Sequence, residues 1–261
     1  MSRSSHTLSV LRQRIARLDP APIVKANGIF ALGADYVDQR LRGGLACAAL
    51  HEVFADEADA GAAAAFALIL ALRGRTVAKP ILWIREDRVE RHSGALYGPG
   101  LVALGADPDR FIFVHAPDEL GALRAAADSV KCGGLGAVVV EPYGKARALD
   151  LTASRRLALA AGTSGVLTLL LRVGAEPSPS AAQTRWQVSS APSIPLEGNA
   201  PGAPAFDVTL LRHRAGIAGF NARLEWDREQ QICVEQEARE QTLSGGVSAV
   251  ASFREDQAKA A

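Results

Sequence analysis

The chain has 261 residues, 48% of them hydrophobic, and its 29 basic residues nearly balance its 28 acidic residues. This length suffices for one large α/β domain, and the balance excludes a global field that attracts nucleic acid or an anionic membrane. The three cysteines lie far apart without a CxxC motif, which argues against zinc and against a disulfide framework. With no signal peptide and no apolar run of about 20 residues, we expect a soluble cytoplasmic protein without membrane association.

The first predicted element is a helix over residues 7–18. Its apolar residues recur at spacings of three, four and three and form one seam, consisting of Leu8, Leu11, Ile15 and Leu18. Arginines occupy the other face of this helix, and a proline-containing break over residues 20–22 follows it. The seam predicts either a helix docked on its own domain or an arm, residues 1–20, that binds a partner.

The central feature of the sequence is a strand, a polar loop and an apolar helix in succession. Leu50–Phe54 mixes apolar, β-branched and aromatic residues and predicts a strand, and the uncharged run Ala60–Leu72 predicts a buried helix. This succession is the geometry of a phosphate-binding loop with the pattern GxxxxGK[ST]. There, backbone N–H groups and a lysine contact phosphate oxygens, and a hydroxyl holds magnesium.

The residues of this loop do not supply that chemistry. Aligned on the loop, the pattern begins at Asp56, where a glycine is needed, and its second glycine falls on Gly61. Ala62 and Ala63 take the places of the lysine and the hydroxyl residue. Asp56 and two further carboxylates of the loop lie where phosphate charge is held, and like charges repel. The sequence therefore predicts a degenerate phosphate-binding loop and no cofactor.

Strands and helices alternate through the rest of the core. Four apolar runs predict strands, at residues 81–84, 111–114, 137–141 and 166–172. One helix is expected to start near Asp118, with its inward face formed by Leu120, Leu123, Ala127 and Val130, and a second to run from Thr152 to Ala161. The charged segment 85–100 is predicted as a loop. The alternation predicts βαβ units and a mainly parallel sheet flanked by helices.

The C-terminal third differs in composition. Six of the 13 prolines lie between residues 173 and 205, so this segment is predicted as loop, with a short strand at residues 184–188. Residues 206–212 and 221–227 predict antiparallel strands added to the sheet edge. Residues 236–261 lack an apolar period and are predicted as a disordered acidic and polar tail.

Several segments together resemble one family. In chain order they are FALGADYVDQRLRGGL, LHEVF, LGADPDRFIFV, AVVVE, SRRLALAA, GVLTLLLR and TRWQV. This set, spread over roughly residues 8–235, is similar to the ImuA family, the RecA-related or SulA-like accessory proteins of an inducible mutagenesis cassette. The chain departs from the family pattern before the central strand, where Cys47 and Ala48 stand and a glycine is commoner.

The resemblance implies a RecA-like α/β core over residues 21–235 and a non-catalytic role in translesion DNA synthesis during the SOS response. The implied partners are RecA, the ImuB-type homologue of Y-family polymerases and an error-prone polymerase of the DnaE type. Self-association through the N-terminal helix is implied as well. Two alternatives stay open: a diverged ATP-binding protein or ATPase, and a module that binds DNA directly.

The resemblance also singles out charged residues at strand ends. Glu141 stands where a RecA-type ATPase keeps a magnesium-associated aspartate, and Glu86 and Asp87 stand near its water-activating glutamate. Because the loop lacks the lysine and the hydroxyl, we expect Glu141 to form an ion pair with Arg172 or Arg85 rather than hold a metal. For Glu86 and Asp87 the alternative is the charge of a solvated loop.

The remaining charged residues form no catalytic constellation, and His51 within the central strand is predicted as a hydrogen-bonded core histidine. Two basic groups predict either weak contact with DNA phosphates or solvated surface: Lys145 with Arg147, Arg155 and Arg156, and Arg212 with His213 and Arg214. An acidic excess near the C-terminus includes Glu235 and Glu237. It predicts either a salt-sensitive contact with a basic partner or a solvated tail.

Overall fold

The structure, a computed structural model, describes residues 28–74 and 79–236. Its elements, in chain order, are β1 (Ile29–Phe30), α1 (Asp35–Arg40), β2 (Leu45–Ala46), β3 (Leu50–Ala55), α2 (Ala60–Gly74), β4 (Ile81–Glu86), α3 (Asp87–Ser93), α4 (Gly98–Ala103), β5 (Phe111–Ala116), α5 (Glu119–Ser129), β6 (Ala137–Glu141), α6 (Leu151–Ser164), β7 (Leu167–Val173), β8 (Thr184–Ala191), β9 (Ala205–His213), β10 (Asn221–Asp227) and β11 (Ile232–Glu235). The predicted helix over residues 7–18, the arm 1–20 and the tail beyond residue 236 lie outside the described residues.

One nine-stranded sheet organises the fold, in the order β11-β10-β9-β8-β3-β7-β6-β4-β5. The six strands from β8 to β5 pair in parallel, whereas β8 to β11 pair antiparallel. The predicted α/β class and mainly parallel sheet are confirmed, as is the antiparallel addition at one edge. Of the six parallel strands counted in chain order, the first, β3, lies between the last two, β7 and β8. This order differs from that of a dinucleotide-binding fold.

Helices cover both faces of the sheet. On one face α2 packs against β3, β6, β7 and β8, and its side chains are buried from Phe66 to Leu72. An apolar run without charge thus becomes a buried helix, as predicted, because no polar face has to reach water. On the other face α5 packs mainly on β4, β5 and β6, and α6 on β3 and β7. The result is a three-layer arrangement with the parallel strands in its middle.

The predicted loop over residues 85–100 is wrong. Arg85 and Glu86 complete β4, and α3 and α4 follow between Asp87 and Ala103. The sequence favoured a loop because charges and glycines dominate this segment. In the fold two short helices follow the end of β4, and the charged side chains of α3 are exposed or half-buried, whereas α4 carries no charge. Val89 and Leu101 are the residues that these helices bury.

Helices α5 and α6 differ from the predictions in part. The Asp118 side chain accepts a hydrogen bond from Gly121 N at 2.7 Å, so α5 starts as expected. Val130, directly after this helix, is buried as predicted, but the buried residues within α5 are Ala122 and Ala126, and Leu120 is 52% exposed. Small alanines let α5 approach the sheet closely, which turns the inward face away from Leu120.

The cap of α6 is also shifted. Asp150, rather than Thr152, accepts from Ala153 N at 2.7 Å, and the helix continues beyond Ala161 to Ser164. Gly165 then adopts a left-handed conformation and ends it. The aspartate two residues earlier takes the capping position, so the predicted start is late and the predicted end is early.

Two further differences concern small strands. β8 extends to Ala191 and pairs in parallel with β3, which makes it a core strand instead of a short strand within a loop. β11, which no pattern predicted, pairs with β10 and closes the antiparallel edge. At the other end of the chain, Gly44 has a φ of 130°, and a Cβ there would lie 2.1 Å from Phe30 O. Only glycine fits this sharp turn into β2.

Candidate functional site

The candidate site lies where the parallel strands β3, β4, β6 and β7 end and where α2 begins. Ligands of open α/β sheets bind at this carboxyl edge. A cleft of about 250 Å³ lies here between α2 and α4, with Gly61 and Glu141 in its lining. A neighbouring cavity of about 240 Å³ is lined by Glu57, His92 and Tyr143.

The loop after β3 is attached to β8 by hydrogen bonds. A single 3-10 turn, Glu57–Asp59, leads directly into α2. The Asp59 carboxylate accepts from Ser190 N at 2.8 Å and from Ser190 Oγ at 2.6 Å, which binds the loop to β8. These hydrogen bonds hold the pKa of Asp59 below its usual value. The Asp59 carboxylate therefore stabilises the position of this loop against β8.

The residues aligned with the phosphate-binding pattern do not form a cradle. Gly61 lies in the first turn of α2, and no atom lies within 4 Å of the place of a Cβ, so this position does not require glycine. Ala63, at the place of the hydroxyl residue, is fully buried in the core. Asp56 is exposed and extended, and Ala62 is part of α2. The chain keeps strand, loop and helix in order, but these four residues offer no cation and no hydroxyl to a phosphate.

Glu141, at the end of β6, is engaged by two donors. Its Oε2 accepts from Trp83 Nε1 at 3.1 Å and from Arg85 Nε at 2.7 Å. Arg85 also donates to Gly94 O at 3.0 Å, so the guanidinium joins β4 and β6 to the segment after α3. The predicted ion pair with Arg85 is confirmed, whereas the alternative with Arg172 is wrong because that side chain lies on the opposite face of the sheet.

Glu86 is a structural residue rather than a solvated charge. Its side chain is fully buried, accepts a hydrogen bond from Tyr143 N at 2.9 Å and pairs with Arg88. Asp87 begins α3, as the residue after a strand end. The Tyr143 ring in turn lies 4.5 Å from the His92 ring, centroid to centroid. These contacts hold α3 against the segment that follows β6.

Sequence reasoning missed a second buried acid–base group, on the face covered by α6. Glu52, in the middle of β3, and Arg172 are 1% and 2% exposed. Arg185 Nε lies 2.9 Å from Glu52 Oε2, but its N–H is not directed along a hydrogen bond. Arg172 Nη1 lies 4.0 Å from Glu52 Oε1. Burial raises the pKa of Glu52, and Arg185 acts in the opposite direction.

The two arginines of this group, together with two further arginines, hold two connecting segments on the sheet. Arginine side chains donate to backbone carbonyls: Arg172 to Lys145 O at 3.0 Å, Arg185 to Ser178 O, Arg212 to Ser180 O at 3.2 Å and Arg214 to Ala181 O at 3.4 Å. Part of the second predicted basic group thus stabilises the chain itself. The first group keeps its exposed side chains, namely those of Lys145, Arg147, Arg155 and Arg156. Contact with DNA stays a prediction.

The prediction for His51 is confirmed. Its Nε2 donates to Ala46 O at 2.9 Å, and its Nδ1 accepts from the Thr184 hydroxyl at 2.7 Å. The Trp186 indole N–H completes the chain by donating to Thr184 Oγ1 at 2.8 Å. Burial lowers the pKa of His51 to about 4, so the imidazole is neutral in the folded protein at pH 7.

The predicted partner-binding residues divide into described and undescribed parts. Glu235 accepts from Val37 N at 2.9 Å, so its carboxylate holds the start of α1 against β11. Glu237 and the seam of the N-terminal helix lie outside the described ranges. Partner binding by the seam and by Glu237 remains a prediction, and for Glu235 a structural role comes first.

Comparisons with known proteins leave the site to be interpreted from its own residues. Within residues 28–74 and 79–236, no group of three or more His, Cys, Asp or Glu side chains has the arrangement of a metal site. No described helix has the length and apolar character needed to cross a bilayer. No protein-family model matches the chain, and no curated protein matches its sequence.

Proposed function

We propose that this protein is a non-catalytic, RecA-like accessory protein of SOS-induced, error-prone translesion DNA synthesis. It acts by binding an ImuB-type polymerase homologue and RecA, and works beside a DnaE-type polymerase. The family resemblance of the segments given above supplies the pathway and the partners. The observation that carries the non-catalytic part is the loop after β3, whose carboxylate binds Ser190 and whose alanines replace the lysine and the hydroxyl.

The position of this loop supports a RecA-like origin. β3 lies inside the sheet, with parallel neighbours on both sides, and α2 follows it after one short turn. Strand, loop and helix in this arrangement are the architecture of a phosphate-binding site. Such an architecture without its chemistry fits a protein that has kept a fold as a binding surface after losing an activity.

The ATPase alternative requires changes at two places. Glu141 would have to release Arg85 and Trp83 before it could orient a magnesium-bound water, and each is a buried partner. The loop would need a cation to neutralise phosphate, and it offers carboxylates instead. Direct DNA binding is favoured by one observation, the exposed basic side chains around Arg147 and Arg155. It is the second candidate function.

Nucleotide titration tests the non-catalytic part. Calorimetry of the full chain with ATP and magnesium is expected to show no saturable heat up to millimolar nucleotide, because no residue of the loop compensates phosphate charge. Micromolar affinity would contradict this expectation. So would ATP hydrolysis by the full chain that is lost in Glu141→Gln.

Direct binding tests the adaptor part. The purified chain is expected to bind the purified ImuB-type homologue and purified RecA. Each affinity is measured separately by surface plasmon resonance. Ile15→Glu places a charge in the seam and should weaken binding at least about tenfold. The matched variant Gln13→Glu changes a polar position of the same segment and should stay within about twofold. If neither protein binds the full chain at micromolar concentration, the adaptor function is wrong.

A DNA titration decides the second candidate. Fluorescence anisotropy with a labelled single-stranded oligonucleotide is expected to show only weak binding at physiological salt. Arg155→Ala with Arg156→Ala should remove what binding there is, whereas Arg124→Ala, on the neighbouring helix α5, should not. Submicromolar affinity lost in the paired variant would favour the DNA-binding function over the adaptor.

A further inference from the structure

A wide groove lies at the antiparallel end of the sheet. It has a volume of about 890 Å³ and runs between the proline-rich segment 192–204 and the hairpin of β10 and β11. Three of its apolar side chains are strongly exposed, namely Ile194 at 54%, Leu196 at 61% and Val234 at 45%. An exposed apolar patch of this kind marks a binding surface.

The groove coincides with a gap in one helix layer. Cys233 is buried in the core on the α2 side, so Val234, the next residue of β11, faces the side that carries α5 and α6. Those two helices pack on β3 to β7, and the buried apolar cluster beneath them includes no residue of β9, β10 or β11 among the described residues. This side of the antiparallel strands therefore has room for one more helix.

The rim of the groove carries an excess of negative charge. Its lining includes three carboxylates, Glu225, Asp227 and Glu229, besides Glu235, whose carboxylate holds α1, and two arginines, Arg223 and Arg228. Arg223 is already paired with Asp207 through two hydrogen bonds of 2.7 and 2.8 Å. An apolar floor with an acidic rim fits an amphipathic helix whose polar face is basic.

We infer that this groove binds residues 7–18 of the same chain. The segment combines the apolar seam with three arginines and no acidic residue, which matches both the floor and the rim. As a helix it would be about 18 Å long. Burying its four seam side chains removes apolar surface of both partners from water, and the arginines lie toward the carboxylates.

The connection is long enough for binding within one chain. Leu32 O accepts from Cys233 N at 2.8 Å, so Leu32 lies beside β11, and Gly28, four residues earlier, lies within about 14 Å of Leu32. Leu18 and Gly28 are ten residues apart and span up to about 33 Å. A tether of this length keeps the segment at a high effective concentration near its own groove.

This contact has a consequence for any partner that binds the seam. In the isolated protein the seam is covered, so a partner has to displace the segment from the groove before it binds. Docking of the segment in the groove thereby lowers the affinity of the proposed adaptor for a partner that binds the seam. Docking of the segment does not depend on which partner follows, so the two are tested separately.

Photo-cross-linking in the full chain tests the inference. A benzoylphenylalanine residue at position 11 is expected to cross-link to residues 192–204 or 232–236, as mapped by mass spectrometry. Mixing ¹⁴N- and ¹⁵N-labelled copies distinguishes links within one chain from links between chains. The same probe at position 13, on the polar face, should give little of this product.

Charge reversal supplies the second measurement. Glu229→Lys should lower the cross-link yield about threefold at low salt, because it removes an exposed rim carboxylate. Glu176→Lys, at an exposed position outside the groove, should leave the yield unchanged. The inference is overturned if the position-11 links map outside the groove, if they join different copies, or if Glu229→Lys has no effect at low salt.

Discussion

Two buried carboxylates, Glu52 and Glu141, lie on opposite faces of the same parallel sheet and have different surroundings. Glu141 has one arginine at 2.7 Å, directed at its oxygen, and an indole N–H. Glu52 lies between two arginines, and neither makes a well-directed hydrogen bond with it. The first group pairs one carboxylate with one arginine through a hydrogen bond, whereas the second places two arginines beside Glu52, with Glu119 also attracting Arg172.

The difference shows what each group does for the fold. The charge of the two arginines beside Glu52 is also offset by carbonyls that they bind, Lys145 O and Ser178 O. It is also offset by the Phe54 ring, whose centroid lies 5.7 Å from Arg172 Cζ. The Glu52 group therefore attaches loops to the sheet, while the Glu141 pair occupies the carboxyl edge where a nucleotide site would need a free acid.

Removing the Glu52 charge should have the largest effect. Glu52→Gln leaves two buried arginines without their nearest counter-charge, so the free energy of unfolding should fall by about 3–5 kcal/mol. Urea denaturation measures it, and Glu57→Gln, at an exposed loop position, should change stability by less than about 0.5 kcal/mol. Adding Arg185→Met to Glu52→Gln should restore part of the loss. A loss below about 1 kcal/mol for Glu52→Gln would show that the group is not an ionic one.

His51 extends the comparison to a buried titratable group without a counter-charge. Its folded pKa of about 4 lies below the usual value of 6.5, so the unfolded state binds more protons between these pH values. The contribution of neutral His51 is complete above pH 6.5 and is lost as the pH falls toward 4, by about 3 kcal/mol. Denaturant titrations across this range should show a steeper loss for the native chain than for His51→Gln. Equal slopes would contradict the burial of a neutral imidazole.

The Glu141 pair should respond less than the Glu52 group. Glu141→Gln keeps an acceptor for Arg85 and Trp83 but removes the charge, so the expected loss is about 2 kcal/mol. The same urea experiment measures it. A loss larger than that of Glu52→Gln would reverse the comparison, because the hydrogen-bonded pair would then be the more important one.

The loop after β3 should show the smallest effect. Asp59→Ala removes two hydrogen bonds to Ser190 at a largely solvated site, so stability should fall by only about 0.5 kcal/mol. Hydrogen exchange of the Ser190 amide should nevertheless become faster. Asp56→Ala, whose exposed side chain makes no such bond, serves as the control and should leave that amide unchanged.

The residues that were predicted correctly are those whose chemistry is local. The apolar runs at β3, β4, β6 and β7 became strands, and the loop chemistry at Ala62 and Ala63 follows from residue type alone. The helices α3 and α4 were missed because a charged, glycine-bearing segment resembles a loop until a sheet edge gives its apolar residues something to cover. Leu120 was predicted to face inward because its spacing fits the apolar face of a helix. In the structure the alanines of α5 take the inward positions, because their small side chains let the helix approach the sheet closely.

The sequence by itself determined the order of the core strands with helices α2, α5 and α6, the absence of a lysine and a hydroxyl residue at positions 62 and 63, and the apolar seam of residues 8–18, because each depends on neighbouring residues. Only the tertiary structure decided which arginine pairs with which carboxylate. The partners of Glu52 come from β7 and β8, distant in sequence but adjacent in the sheet. Arg85, rather than Arg172, reaches Glu141 because alternate residues of a strand face opposite sides, and that parity appears only once the register of the strands is set.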